Sequence, residues 1–232
     1  RPPPCKAPAA PRPFASAPVP GAQAGRFLEG TILIRVAYGN IFPAGVSIVN
    51  TKIMLRTGTP EAFMEMSKEA FYAAEMLKTS KVDVISYHCA ASGIMHGAEY
   101  EKELLEKLSV SGGAKSTSLG LAAIEALEHL NVKKIAVVNP HLNSIVLAEK
   151  KYLEAAGYDV LAAKALDIED SFEIAQRPPW ENYRIALQVA RENPDAEALY
   201  ISCGIFRSVE IIEYLEQATS IPVVSSVTCN AW

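Results

Sequence analysis

The chain has 232 residues, half of them hydrophobic, and a formal net charge of -4. That is enough to bury a core as one large α/β domain or two small lobes, which excludes a wholly disordered protein. Basic residues occur singly or in pairs with no stripe, so nothing marks a nucleic-acid partner, and no apolar stretch nears the roughly 20 residues that span a bilayer.

Residues 1–28, RPPPCKAPAAPRPFASAPVPGAQAGRFL, are rich in Pro and Ala, with four basic residues and no acid. They read as a disordered tail that does not pack. The same composition, poorer in Ser than usual, is that of an organelle transit peptide. The four cysteines, at positions 5, 89, 203 and 229, are too scattered for a disulfide scaffold and fit a reducing compartment. The expected location is therefore cytoplasmic, or an organelle if the tail is a targeting segment.

From Thr31 short β-branched runs alternate with amphipathic segments, the signature of βαβ units and a parallel sheet. Strands are predicted at Thr31–Ala37, Val46–Ile53, Val82–Tyr87, Lys134–Val138, Tyr158–Ala162, Ala198–Ile201 and Pro222–Ser225. Helices are predicted at Pro60–Lys78, Ala98–Leu108, Leu119–Leu130, Ser144–Ala156, Trp180–Glu192 and Val209–Gln217. Thr59 followed by Pro60 is an N-cap with proline at the first helical position. The closing PVVSSVTCNAW reads as a strand and a turn without a following helix.

The two halves repeat. VDVISYHCAASG and AEALYISCGIFR are each a strand, a Cys and small residues before a helix, with Cys89 and Cys203 at matching positions. Outward from them the strand at Lys134 answers that at Thr31, Tyr158 answers Val46, and the helix at Trp180 answers that at Pro60. Ser116 and Thr117 answer Ser225 and Ser226. The expected fold is α/β: two pseudo-symmetric Rossmann-like lobes, 29–118 with an atypical first βα unit and 119–232, with parallel sheets and an active site in the cleft between them.

A Cys between a strand and a helix sees unpaired backbone N–H groups and the positive end of the helix dipole, which favours its thiolate as nucleophile or base. The N–H groups of Ala90 and Ala91, and of Gly204 and Ile205, would form anion nests for a small carboxylate. A lone buried Cys is usually an inert core residue; the symmetric pair is what singles out Cys89 and Cys203. Other signals are weaker. His88, Cys89 and His96 lack the spacing of a metal set, and His88 is expected on the strand face away from Cys89. SGGAKST lacks the glycines of a phosphate loop, and no dinucleotide fingerprint follows the first strand. Cys229 could approach Cys203 as a redox pair, Arg207 could attract a carboxylate, and EYEKELLEK reads as a solvated helix face.

These residues resemble a known family. PAGVSI, VISYHCAASGIMHG, HLNVKKIAVVNPH, AAGYDV and, most specifically, ALYISCGIFRSVEIIEYLEQATSIPVVSS are similar to the Asp/Glu racemase superfamily, in the branch of maleate cis-trans isomerase and arylmalonate decarboxylase. The resemblance spans about Gly45 to Trp232. It implies a cofactor-independent isomerase of a small dicarboxylate, with no metal, in which Cys89 adds to the alkene carbon and Cys203 supplies or removes a proton. The decarboxylase branch has glycine in place of the first Cys. The resemblance also implies substrate contacts at Asn40, at His141 where the isomerases have Tyr, and at Ser226, in a closing motif that reads Ser225, Ser226, Val227 here. Ser171 stands where the isomerases have an Asn. An amino-acid or hydantoin racemase, a decarboxylase and a non-catalytic carboxylate-binding homologue stay open as alternatives, as does a homo-oligomer.

Overall fold

The structure, a computed structural model, describes residues 23–28, 38, 41–43, 45–54 and 60–232. It contains two four-stranded parallel sheets of identical topology. The first has the order β2-β1-β3-β4, with β1 Gln23–Leu28, β2 Ser47–Lys52, β3 Val84–His88 and β4 Lys115–Ser118. The second has the order β6-β5-β7-β8, with β5 Lys134–Asn139, β6 Asp159–Ala165, β7 Ala198–Ile201 and β8 Val223–Ser225. Every neighbouring pair is parallel. Strand by strand, β1 to β4 answer β5 to β8, so the repeat read from the two cysteine segments is an architectural one.

The helices whose bounds lie among the described residues are α1 Pro60–Lys78, α2 Ala90–His96, α3 Ala98–Gly112, α4 Leu119–His129, α5 Asn143–Ala155, α6 Ser171–Gln176, α7 Pro179–Glu192, α8 Ile212–Thr219 and α9 Ser226–Ala231. A 3-10 turn, Val209–Ile211, leads into α8. Pattern matches structure best where the apolar stripe is long: α1 has the expected bounds, and α4, α5 and α7 differ by a residue or so at their ends.

Four expectations are corrected. The first strand is Gln23–Leu28, inside the stretch read as an unpacked tail, and it lies between β2 and β3. QAGRFL has no β-branched residue, so propensity gives no sign of it; ladders on both sides hold it. The strand expected at 31–37, Thr59 and Cys5 fall outside the described residues. Second, the chain does not stop at a turn: Ser225 caps α9 with a reciprocal box, its side chain accepting from Thr228 N while Thr228 Oγ1 accepts from the Ser225 amide. Third, β4, the polar KSTS, is an edge strand where none is predicted between Tyr87 and Lys134. Gly113 before it is the left-handed C-cap of α3, with φ 69°. Fourth, the run EYEKELLEK is not uniformly solvated, because Glu101 within it is buried.

The second sheet is covered on both faces. Ile135, Val137, Ala198 and Tyr200 point to α4 and α9; Ala136, Val138, Leu199 and Ile201 point to α6, α7 and α8. The lobes meet where α2 packs on α5. Ile145 of α5 joins the core of the first lobe. The seam also holds a buried carboxylate: Ser118 Oγ donates to Glu101 Oε1 at 2.5 Å, and Tyr152 of the second lobe donates to Oε2 at 2.5 Å. Gly93 and Gly120 make room for it, since a Cβ on either would come within 3.0 Å of Oε1. Among the described residues no helix is long and apolar enough to cross a membrane.

Removing the Tyr152 hydroxyl leaves Glu101 half-satisfied in the seam. Tyr152→Phe is expected to lower stability by about 1–3 kcal/mol in chemical denaturation. Val110→Ser, on an exposed helix surface, should change it by less than about 0.5 kcal/mol.

Candidate functional site

In a parallel sheet with α-helical crossovers the carboxyl ends of all strands lie along one edge. Cys89 follows β3 and is the N-cap of α2, with φ -140° and no side-chain capping bond. Ala90 and Ala91 are the first helical residues, where backbone N–H groups have no partner within the helix. Cys203 follows Ser202 at the end of β7, but no helix starts behind it; Gly204 to Ser208 form a turn before the 3-10 segment. The expectation that both cysteines precede a helix therefore holds for Cys89 alone. Cys203 instead has φ 86°, a left-handed backbone that costs a non-glycine residue about 1–3 kcal/mol and is held by its surroundings.

Both thiols are buried, each 6% exposed, and neither is in a disulfide. The segments that carry them touch: a Cβ added at Gly204 would lie 2.2 Å from His88 Nε2. His88, expected to point away from the site, thus fills the seam beside Cys203. Tyr38 Oη lies 3.3 Å from His88 Nδ1 and donates to Asn230 Oδ1 at 3.1 Å, and Ser86 Oγ donates to the same Oδ1 at 2.9 Å. Asn230 is on α9 of the second lobe, so three side chains of the first lobe converge on it and on the turn at Gly204.

The remaining expected contacts sort as follows. Asn40 lies outside the described residues. Ser226 Oγ accepts the Cys203 N–H at 3.1 Å and pairs with Tyr200 Oη at 2.9 Å, fully buried. Its hydroxyl is thus committed to fixing Cys203 and does not face an open cleft. Ile205 packs with Tyr38 and Val227. His141 sits at the carboxyl end of β5, its N–H bonded to Asn139 Oδ1 at 2.9 Å and its carbonyl accepting from Asp167 N at 3.2 Å. Burial holds His141 down at about 4, so it is neutral near pH 7. His96 ends α2 with its ring 4.8 Å from that of Tyr100. Arg207 is engaged with Glu210 at 2.8 Å on the surface. Cys229 packs on the α4 side of the second sheet and Cys203 on the α7 side, and neither is in a disulfide. Burial pushes the Cys229 thiol up to about 12, leaving it protonated. Among the described residues no three of His, Cys, Asp and Glu converge as metal ligands.

Sequence reading missed the polar groups behind the site. Glu149 of α5 is buried, accepting from Ser202 Oγ at 2.5 Å on Oε1 and from Asn139 Nδ2 at 2.7 Å on Oε2. Desolvation pushes its carboxyl up to about 7, against the pull of those two hydrogen bonds. The available signal was positional: Glu149 lies on the buried stripe Ile145, Val146, Tyr152, Leu153, and Glu101 on the stripe Leu104, Leu105, Leu108. A charge on an apolar helical face is worth following.

Together these features define a class: a two-lobed parallel α/β protein with one cysteine from each lobe at the seam where the strand ends meet. Residues 36–232 match the family described as arylmalonate decarboxylase, and the chain belongs to that family. A maleate isomerase of Geobacillus stearothermophilus is 26% identical over 179 residues, covering 75% of this chain and 71% of that protein. The fold is that of the maleate isomerase Iso of Pseudomonas putida, with a TM-score of 0.85 at 20% identity, covering 91% of this chain and 90% of the other. A mutant of the Nocardia farcinica maleate cis-trans isomerase, solved with a covalently bound succinylcysteine intermediate, matches with a TM-score of 0.82 at 21% identity over 90% of this chain and 89% of the other.

Two outcomes follow from this geometry. Gly204→Ala forces its methyl against the buried His88 ring and is expected to destabilise by about 1–3 kcal/mol, read as a lower denaturation midpoint. Between about pH 6.5 and 4 the unfolded chain binds a proton at His141 that the folded chain does not. That contribution is fully present above 6.5 and lost as pH falls through the window. Thermal melts across it should therefore show a weaker acid decline in His141→Gln than in the parent.

Proposed function

We propose that this protein is a maleate-type cis-trans isomerase acting on a small dicarboxylate through Cys89 and Cys203, in a cleft between the lobe built on β1 to β4 and the lobe built on β5 to β8. The observation that carries the reading is the meeting of the two cysteine segments, His88 against Gly204, at equivalent strand ends of two equivalent sheets. Membership of the family and the likeness to maleate isomerases support it. So does the residue at position 89, since the decarboxylase branch, by the resemblance, has glycine there.

The Cys89 thiolate adds to one alkene carbon while the Cys203 thiol gives its proton to the other. The adduct is a succinyl thioether with a single bond that can rotate. The Cys203 thiolate then takes a proton back from that carbon, the alkene re-forms in the trans geometry, and Cys89 leaves as thiolate. Atoms and charge balance, with no external reductant or oxidant. We assign the substrate carboxylates to the backbone N–H groups of Ala90 and Ala91 on one side and Gly204 and Ile205 on the other, with Asn40 and His141 as further contacts. Ser226 acts through the Cys203 amide that it holds. The neutral His141 ring can donate one hydrogen bond to a carboxylate, in the role the resemblance gives to a Tyr hydroxyl.

Proton NMR in deuterated water with maleate, an arylmalonate and an amino acid separates the outcomes: fumarate appearing from maleate supports isomerisation. Carbon dioxide loss from the arylmalonate, or deuterium exchange at the amino-acid α-carbon with no fumarate, overturns it. Cys89→Ala and Cys203→Ala should each remove nearly all turnover with the fold intact. Retention of more than about a tenth of the activity, a barrier change under roughly 1.4 kcal/mol, rejects the two-cysteine mechanism. Mass spectrometry after acid quench should find the maleate adduct on Cys89; an adduct only on Cys203 reverses the roles.

A further inference from the structure

We propose that Glu149 is the positioning residue of the second half-site: its one carboxylate ties the carboxyl ends of β5 and β7 together and thereby sets both His141 and Cys203. The catalytic consequence rests on the two-cysteine reading above. β5 and β7 are paired from Ile135–Ala198 to Val138–Ile201, and the backbone ladder ends with Ser202 N donating to Val138 O at 2.8 Å. Beyond that bond the strands part. The Asn139 carbonyl turns to Leu166 N, while the other chain enters the strained turn at Cys203.

At that fork Glu149 takes over from the ladder, one oxygen on Ser202 and the other on Asn139. Each partner passes the constraint on. Asn139 Oδ1 holds the His141 amide, and Ser202 immediately precedes Cys203, whose own amide is held by Ser226. An aliphatic side chain would suit the stripe of α5 better than a carboxylate, because an ion in that setting loses its hydration. Glu149 forms no ion pair among the described residues; the titratable groups facing it are Tyr152 and Tyr200, both themselves pushed up by burial. What it offers at this spot is two acceptors at the spacing of the two strand ends.

The test compares Glu149→Gln with Glu149→Asp. Gln can keep both bonds, because its oxygen accepts from Asn139 and its amide donates to a Ser202 hydroxyl that turns to accept. Asp, one methylene shorter, cannot span both. Glu149→Asp is expected to lower kcat for maleate at least about tenfold with KM within about threefold, in a protein that still melts cooperatively. Glu149→Gln should stay within about threefold of the parent on both constants. Independently of turnover, iodoacetamide alkylation read by peptide mass spectrometry should accelerate about tenfold at Cys203 in Glu149→Asp, as the buried thiol is released, with Cys89 unchanged. If Gln is as impaired as Asp, or if Cys203 in Asp alkylates at the parent's rate, the proposal is overturned. A parent that leaves maleate untouched sinks the isomerase reading, and the alkylation rates then still decide this one.

Discussion

Parallel pairing is the constraint on which the rest depends. It sends the carboxyl end of every strand to one edge of its sheet, so a residue that follows β3 and one that follows β7 are already at the functional edges of their lobes before any side chain is considered. The packing of α2 on α5 turns those edges toward each other. Cys89 and Cys203 need only occupy the right chain positions. Their placement at matching strand ends is a consequence of two equal topologies, and the contact of His88 with the turn at Gly204 brings the two segments together.

That meeting puts polar groups where water is scarce, and the chain answers two of them, Glu101 and Asn230, with partners from across the seam. Glu101 is met by Ser118 from its own lobe and Tyr152 from the other; Asn230 is met by Tyr38 and Ser86. Apolar contact would hold the lobes together in many registers, whereas a carboxylate with two fixed donors is satisfied in one. Gly93, Gly120 and Gly204 contribute by what they lack, since a Cβ at any of them would strike Glu101 or His88. The seam is therefore defined by a small set of buried polar bonds laid over a larger apolar contact.

Much of this was legible from residues alone, for an identifiable reason. Duplication makes each half a control for the other: a Cys after β3 means little, but a second after β7 in the same context marks a shared site. Long amphipathic helices such as α1 and α7 announce themselves by period. Hidden were the elements that tertiary context imposes. β1 has no strand-like composition and is fixed by two neighbours; β4 is four polar residues at an edge; α2, α6 and α9 are too short to carry a period. The buried glutamates were obscured because a charge in a helix is read as solvated unless its place on the stripe is checked. His88 was misjudged because strand alternation tells which face a side chain leaves from, and says nothing of a second lobe waiting on that face.

The symmetry is broken where the chemistry needs it broken. Cys89 caps a helix in ordinary extended backbone, next to unpaired N–H groups, with its sulfur free of a capping bond. Cys203 sits in a left-handed turn with no helix behind it, its amide held by Ser226 and its predecessor by Glu149. On the proposed mechanism the first setting would serve the attacking sulfur and the second the proton carrier. An addition to an alkene needs one thiolate and one thiol, and two cysteines in identical surroundings would compete for the same protonation state. The repeat gives two equal strand ends, and the segments after them differ, helix in one lobe and strained turn in the other; on the proposed mechanism that inequality is what would let one cysteine attack while its counterpart carries the proton.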